Sequence, residues 1–331
     1  MLVPIVSTFW LFKKNISLFD LLRTCTLRKQ LLNKEQMPHN SAPAFLPLQG
    51  FRIISLALNL PGPAALMRLR RLGATCVKLE PPGGDPMRHY SPAAYLQLHD
   101  GIEVLAADLK TPVGQELLHR QLAQAHVLLT SFRPSALVKL GIAWDRLHHL
   151  YSALSQVAIV GSPGEHADKP GHDLTYLAEN GLVPGMELPA TLYADMGGSL
   201  MVCEAVLQAA LLKRGASSSH QGVFIEVALS EAAAYLALPR QWGLSCPDGW
   251  VGGAHAGYQV YECKDGRVAI AALEPHFAAA LCATAGIAAA DTKTLLAPAT
   301  RQLIAEFLLT QTRSALDSLS LAKDIPLHTM A

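Results

Sequence analysis

Residues 51–80 decide the fold: Phe51-Arg-Ile-Ile-Ser-Leu-Ala-Leu58 leads through Asn59-Leu-Pro-Gly-Pro63 toward Thr75-Cys-Val-Lys-Leu-Glu80. The two outer runs are short and apolar, which is typical of buried strands. Between them, residues 63–72 have helical periodicity, and Gly73 ends the helix. A strand, a helix and a second strand form a βαβ crossover, which is the building unit of a parallel sheet.

The alternation of strands and helices continues along the chain. Further strands are predicted at 104–109, 126–130, 155–160 and 222–229, and helices at 112–124, 173–180 and 198–213. Later, residues 258–272 form a hairpin-like element around the turn Asp265-Gly266, and the tail from Ala278 onward is predicted to be mostly helical. The sequence therefore predicts an α/β protein in which a parallel sheet is followed by a smaller, mixed region.

Composition excludes several classes of protein. The chain has 331 residues, of which 50% are hydrophobic and 16% charged, with a net charge of +1. A disordered chain would be far more polar, and a nucleic-acid-binding protein would carry a surplus of basic residues. The six cysteines form no Cys-x-x-Cys pair and no cluster at zinc spacing. The longest apolar stretch near the N-terminus, 2–12, is shorter than a membrane span. We expect a cytoplasmic protein without a metal, a nucleic-acid partner or a membrane span.

Residues 1–46 differ from the rest of the chain. The first 36 residues contain six basic side chains and two acidic ones, and a polar linker begins at Met37. One interpretation is a basic amphipathic helix for a membrane surface. We favour the other, an extension outside the fold, with Met37 as an alternative start of translation.

The loop that follows the first strand, Asn59-Leu-Pro-Gly-Pro63, leads into the start of a helix. Such a loop can bind phosphate, because free backbone amides and the helix dipole both favour an anion there. The Gly-x-Gly-x-x-Gly pattern of dinucleotide folds is absent from the sequence. A nicotinamide cofactor is therefore not predicted.

Three stretches carry candidate catalytic groups. His172 and Asp173 follow a Pro-Gly turn, where one side chain can face a cleft while Asp173 caps a helix. Asp195 precedes Gly197 and Gly198, and an absence of side chains there would let a substrate carbonyl approach backbone amides. A carboxylate at that place can act as a nucleophile or as a base.

The third candidate, Glu274, precedes Pro275 at a strand end, and its apolar flanks would raise its pKa if it pointed inward. Each of these groups also has a structural interpretation. Asp173 and Asp195 can be helix caps, His172 a surface histidine, and Glu274 a loop residue.

Eight segments in order resemble family III CoA-transferases, a group that also contains α-methylacyl-CoA racemases. The segments are Asn59-Leu-Pro-Gly-Pro63, Lys78-Leu-Glu-Pro-Pro-Gly-Gly-Asp-Pro86, Ala107-Asp-Leu-Lys-Thr-Pro112, Ser131-Phe-Arg-Pro134 with Lys139-Leu-Gly141, Pro170-Gly-His-Asp173, Ala194-Asp195, Gln221-Gly222 and Leu273-Glu-Pro275. The resemblance runs from about Leu48 to the C-terminus. Because the eight segments stand in register, they are far more specific than any one of them alone.

The resemblance implies a large Rossmann-like domain at 47–215, a smaller α+β domain at 216–331, and two chains interlocked as a homodimer. In the transferases, the aspartate that matches Asp195 attacks an acyl-CoA thioester, giving a mixed anhydride and then an enzyme-bound CoA thioester. The substrates are an acyl-CoA and a carboxylic acid. Coenzyme A is thus a substrate and not a permanently bound cofactor.

The racemases of the family use the same aspartate differently. The resemblance implies that Asp195 and His172 lie on opposite sides of the substrate α-carbon, and that Glu274 belongs to the same site. It also implies four contacts with CoA. These are Asn59 and Leu60 in the loop after the first strand, and Arg133 and Lys139 near the phosphates.

Some positions depart from the family pattern. His99-Asp-Gly-Ile-Glu103 replaces a basic run, which removes positive charge expected near CoA, and the chain stops at Ala331 where family members continue. The early stop weakens the prediction of an interlocked dimer. Three hypotheses follow: a CoA-transferase, which we favour; a racemase, since many transferases carry Tyr in place of His172; and a non-catalytic acyl-CoA-binding homologue.

Overall fold

Six parallel strands form the main sheet in the computed structural model, which describes residues 45–215 and 221–331. Their order across the sheet is β3-β2-β1-β4-β5-β6. The strands are β1 (Arg52–Ser55), β2 (Thr75–Glu80), β3 (Glu103–Ala106), β4 (Val127–Thr130), β5 (Ser155–Val160) and β6 (Phe224–Ala228). Every neighbouring pair is parallel, which confirms the predicted α/β class.

Helices connect these strands and cover the sheet. They are α1 (Pro61–Arg71), α2 (Met87–Tyr90), α3 (Pro92–Leu98), α4 (Pro112–Leu122), α5 (Pro134–Lys139), α6 (Trp144–Leu150), α7 (Asp173–Glu179), α8 (Tyr193–Gly215), α9 (Leu229–Leu236) and α10 (Leu238–Gln241). On β1, Ile53 and Ile54 point to opposite faces, and both are fully buried in separate apolar clusters. The central strands are mostly buried and rich in apolar residues because helices cover both faces of the sheet.

The longest helix, α8, packs inside the protein. Of the described helices it alone has the length and apolar composition of a membrane span. Its buried residues, among them Val202 and Val206, belong to the same apolar cluster as Leu66 of α1, and the Cys203 thiol lies 3.6 Å from the carbonyl oxygen of Ala65. These contacts identify α8 as a core helix of the α/β fold.

A second sheet has three antiparallel strands, β7 (Tyr258–Cys263), β8 (Gly266–Ala271) and β9 (Leu327–Met330). Its apolar face packs against helices of the C-terminal region. These helices are α11 (Pro275–Thr284), α13 (Pro298–Leu309) and α14 (Arg313–Lys323). The short helix α12 (Thr292–Leu295) packs against α11 in a separate cluster. The predicted hairpin is therefore present. The tail is mostly helical as expected, but it ends in β9, which was not predicted.

Residues 46–331 form one compact unit. Strand β6 lies beyond the predicted domain boundary at 215/216, and it nevertheless pairs with β5 as the edge strand of the first sheet. The sequence segment after residue 215 thus contributes to both sheets. Almost all of the predicted N-terminal extension, 1–46, lies outside the described residues.

Candidate functional site

A cleft of about 600 Å³ opens at the carboxyl ends of β1, β4 and β5. Ligands of open parallel sheets bind at this edge, because the loops there are free to form a site. The starts of α7 and α8 close the other side of the cleft. Five of the predicted residues line it: Asn59, Leu60, Arg133, His172 and Asp195.

Asp195 is the third residue of α8, and its side chain is partly buried. We expected α8 to begin after this residue, near Gly198, whereas it begins at Tyr193. The backbone N–H of Asp195 donates to Oδ1 of Asp173 at 3.0 Å. Burial, and to a smaller extent the charge of Asp173, raise the pKa of Asp195 from 3.8 to about 6, while His172 acts to lower it. The cleft therefore holds a carboxyl group that titrates close to neutral pH.

His172 and Asp173 have divided roles. Asp173 is buried, and it accepts from the start of α8 rather than capping its own helix α7. His172 occupies the N-cap position of α7, where its backbone N–H donates to the Thr175 hydroxyl at 3.0 Å. The His172 imidazole is exposed and lines the cleft. Both residues line the cleft, and the expected cap of α7 by Asp173 is replaced by a contact with the start of α8.

The loop after β1 is fixed by a buried carboxylate. Asn59 adopts a left-handed conformation with φ of 64°, which asparagine tolerates better than most residues. Its backbone N–H lies 3.1 Å from both carboxylate oxygens of Asp85. Because that amide is occupied and Pro61 and Pro63 have no N–H, the loop offers few free amides to a phosphate.

Asp85 belongs to a buried lysine cluster made of Lys78, Glu80, Asp85 and His99. The Lys78 ammonium is fully buried and lies 2.5 Å from Asp85, 3.2 Å from Glu80 and 2.8 Å from Nε2 of His99. The side chains of Glu80, Asp85 and His99 are close enough together to hold a cation. The ammonium of Lys78 stands at their centre and supplies the charge that a metal ion would supply.

The cluster also fixes the protonation of His99. Nδ1 of His99 lies 2.7 Å from the carbonyl oxygen of Tyr95, so Nδ1 donates and Nε2 accepts from Lys78. Burial, followed by the nearby Lys78 charge, lowers the pKa of His99. His99 is the first residue of the segment that departs from the family pattern, and here it completes the coordination of the buried ammonium.

Gly197 and Gly198 lie within α8, facing α9. A Cβ atom at Gly197 would lie 3.2 Å from Cδ1 of Leu236, and one at Gly198 would overlap Leu229. The small residues let the two helices approach closely. In an α-helix the amides of the second turn donate to carbonyls four residues earlier, so close packing explains these glycines without an oxyanion role.

The remaining two predicted residues lie apart from the cleft lining. Lys139 ends α5 and is exposed. Glu274 precedes α11 beside the second sheet and is also exposed. Within a single chain the structure therefore does not bring Glu274 together with His172 and Asp195.

Further polar residues line the cleft and were not singled out in the sequence, among them Tyr90, Lys169 and Tyr176. Tyr90 donates to Oδ1 of Asn59 at 3.3 Å, Lys169 precedes the Pro-Gly turn, and Tyr176 lies one turn after His172. The spacing of four between His172 and Tyr176 places both on one side of a helix, which is a signal the sequence contained. A smaller cavity of about 230 Å³ lies nearby; it shares Phe132 with the cleft and includes Lys110.

Comparison with known proteins places these observations in a family. The family model for "CoA-transferase family III" matches residues 48–331. Succinyl-CoA–D-citramalate CoA-transferase of Chloroflexus aurantiacus is 31% identical over 199 residues, which cover 56% of this chain and 50% of that protein. Alpha-methylacyl-CoA racemase of Mus musculus is 31% identical over 260 residues, covering 72% of this chain and 65% of the racemase.

Solved structures agree with the fold. The crystal structure of Rv3272 from M. tuberculosis superposes with a TM-score of 0.72 at 25% identity, covering 86% of this chain and 83% of that one. A CAIB/BAIF family protein from Brucella suis gives a TM-score of 0.71 at 25% identity, covering 86% of this chain and 84% of that one. The chain spans about half the length of the first curated relatives it matches.

Proposed function

Because this chain belongs to CoA-transferase family III, we propose that it transfers CoA from an acyl-CoA thioester to a carboxylic acid through a covalent intermediate on Asp195. The observation that carries this proposal is a carboxyl group with a pKa of about 6 in a cleft at the carboxyl ends of the strands. At pH 7 such a group is about nine-tenths ionised. It is also more basic than an ordinary aspartate, which favours attack on a thioester.

The reaction balances without a further reagent. A carboxylate oxygen of Asp195 bonds to the thioester carbonyl carbon, the C–S bond breaks, and CoA leaves as a thiolate. The thiolate then attacks the carbonyl carbon of Asp195 in the mixed anhydride, releasing the first acid and leaving CoA as a thioester on Asp195. An incoming carboxylate reverses these two steps and leaves as the new acyl-CoA.

The two neighbouring cavities are where we place the substrate. CoA is long and anionic, so it needs an extended site with a few placed cations. The main cleft provides Arg133 and Lys169, and the smaller cavity across Phe132 provides Lys110. Lys139, exposed at the end of α5, is a fourth cation on this route. The acyl group would lie in the main cleft, beside Asp195.

A racemase is the second candidate, and the placement of His172 favours it. His172 and Asp195 line the same cleft, so an acyl group between them would have a base on one side and an acid on the other. The α-proton of a thioester is acidic enough for such a pair if its oxygen meets a hydrogen-bond donor. Transfer requires only Asp195, whereas racemisation requires both groups.

Transfer is tested by trapping the intermediate. The protein is incubated with several acyl-CoAs and then with hydroxylamine, and the mass of the peptide containing Asp195 is measured. We expect a hydroxamate at Asp195 and none in the Asp195→Asn variant. Bound acyl-CoA without any adduct or turnover would leave the non-catalytic homologue as the remaining interpretation.

Racemisation is tested by deuterium exchange at the α-carbon of a 2-methylacyl-CoA in heavy water. The His172→Gln variant should lose exchange and retain most CoA transfer, since it spares the nucleophile. Transfer to a free acid without exchange of any branched acyl-CoA would refute the racemase.

The proposal includes a homodimer and a cytoplasmic location. An apolar groove of about 570 Å³ along the second sheet, lined by Tyr258, Val260 and Leu327 among others, supports contact with a second copy. The five cysteines in the described part of the chain are all free thiols, which suits a reducing compartment. Light scattering on the purified protein measures its oligomeric state.

A further inference from the structure

Tyr176 is a buried tyrosine whose side chain takes no part in the steps described above. Only 5% of its surface is exposed, and it lines the cleft that contains Asp195. Its ring packs in the main apolar cluster beside Leu177. Among the described residues no side chain or backbone group makes a hydrogen bond with its hydroxyl. The hydroxyl oxygen is not among the fully buried atoms that lack a partner, so it faces the open cleft. A bound ligand there could supply the partner that a tyrosine hydroxyl normally finds.

The backbone on both sides is shaped around this hydroxyl. A Cβ atom at Gly171 would lie 2.5 Å from the Tyr176 oxygen, and one at Gly161 would overlap it as well. Neither glycine is among those with positive φ, so the backbone conformation does not require glycine at either position. Lack of space is what requires glycine at both positions, because a side chain on either loop would occupy the place of the Tyr176 hydroxyl.

The surroundings of Tyr176 favour its protonated form, chiefly because the residue is buried. Burial, and then the charge of Asp195, raise the pKa of Tyr176, while Arg133 acts to lower it. A phenol with a raised pKa is a hydrogen-bond donor at neutral pH. The cleft therefore contains, in the Tyr176 hydroxyl, a neutral donor that is available to a substrate.

We propose that the Tyr176 hydroxyl donates a hydrogen bond to the thioester carbonyl oxygen of the bound acyl group, which makes Tyr176 a further catalytic residue. This inference rests on the proposed acyl-CoA chemistry. Negative charge develops on that oxygen when Asp195 attacks the carbonyl carbon, and also when the α-proton leaves. One fixed donor would stabilise both transition states. It takes the role that the sequence suggested for the amides of Gly197 and Gly198, which lie inside α8.

Infrared spectroscopy tests the contact without turnover. The probe is 2-methylpropanoyl-CoA with ¹³C at the carbonyl carbon, bound to the full-length Asp195→Asn variant so that the thioester is not consumed. We expect the carbonyl stretch to move to lower frequency on binding, and to return toward its free value in the double variant that also carries Tyr176→Phe. Tyr235→Phe serves as the matched control, since Tyr235 is 72% exposed and lies outside the cleft lining.

Kinetics provide the second measurement. Tyr176→Phe alone should lower kcat about 100-fold, the usual effect of removing one oxyanion donor, while KM changes less than about threefold. A carbonyl frequency that does not depend on Tyr176, in an enzyme that does form the Asp195 adduct, would overturn the inference but not the proposed function. A Tyr176-dependent frequency in a protein that forms no adduct and shows no exchange would overturn transfer and racemisation, and leave the contact standing. Failure of the thioester to bind would overturn both.

Discussion

Replacing Asp195 by asparagine should make the folded protein more stable above pH 6 while abolishing transfer. Burial raises the pKa of Asp195 from 3.8 to about 6, so the folded state holds this proton more tightly than the unfolded chain does. Below pH 3.8 the group is protonated in both states and costs nothing. Between pH 3.8 and 6 the unfolded chain releases the proton first, so the wild type loses stability as the pH rises.

The size of the effect follows from the pKa. A rise from 3.8 to about 6, at about 1.4 kcal/mol per pH unit, corresponds to about 3 kcal/mol of unfolding free energy. The asparagine side chain of the variant would have no charge to bury, and the backbone N–H that donates to Asp173 would remain. Relative to wild type, Asp195→Asn should therefore gain up to about 3 kcal/mol at pH 8 and change little at pH 4.

Guanidinium chloride unfolding from pH 4 to pH 8 measures this difference. Asp291→Asn is a control for which the opposite pH dependence of stability is expected. The pKa of Asp291 is lowered, mainly by the hydrogen bond from the backbone N–H of Thr294. That exposed carboxylate should stabilise the fold at high pH, and its replacement should not raise stability there. An Asp195→Asn variant with the same pH dependence as wild type would refute the reasoning that burial of this charge destabilises the fold.

Three other variants test the site and its supports. In the wild type, kcat/KM should fall below about pH 6, because Asp195 must be ionised. In Asp173→Asn this fall should move to lower pH, since a neighbouring negative charge is gone. A pH profile that does not move would contradict this. Lys78→Met should cost about 3–5 kcal/mol in denaturant unfolding, because it leaves buried carboxylates without a cation; a loss below about 1 kcal/mol would argue against a paired ammonium. Gly62→Ala should lower the unfolding free energy by about 1–3 kcal/mol, since its new methyl group would overlap Ala57; unchanged stability would show that the backbone there can yield.

Much of the α/β fold could be predicted because its signals are local. The apolar strand at 51–58, the turn residues after it and the stop at Gly73 all lie within 25 residues, and the sheet follows from them. The predicted start of α8 at Gly198 was five residues too late, because Gly197 and Gly198 are poor helix formers in isolation. Their packing against α9 compensates within the fold, and no local pattern reports such packing.

Long-range contacts account for the other elements that the sequence did not reveal. Strand β9 is four residues long and pairs with β8 across more than fifty residues of chain, so its formation depends on the fold around it. The burial of Lys78 is equally non-local, since a lysine in an apolar strand gives no sign of the carboxylates and imidazole that will surround it. The Asn59 loop, His172 and Asp195 stood out from local patterns, whereas Arg133 and the pairing of these residues in one site came only from the family resemblance.

The buried lysine cluster has a consequence for how this chain can vary over time. Each of its four side chains has its charge or hydrogen bonds satisfied only while the other three are present. Selection should therefore remove variants with a single change in the cluster and keep variants in which partners change together. In a library that varies Lys78, Glu80, Asp85 and His99 together, functional clones should show paired replacements and few independent ones. The loop that carries Asn59 can therefore change only together with strand β2 and with the residue that follows α3.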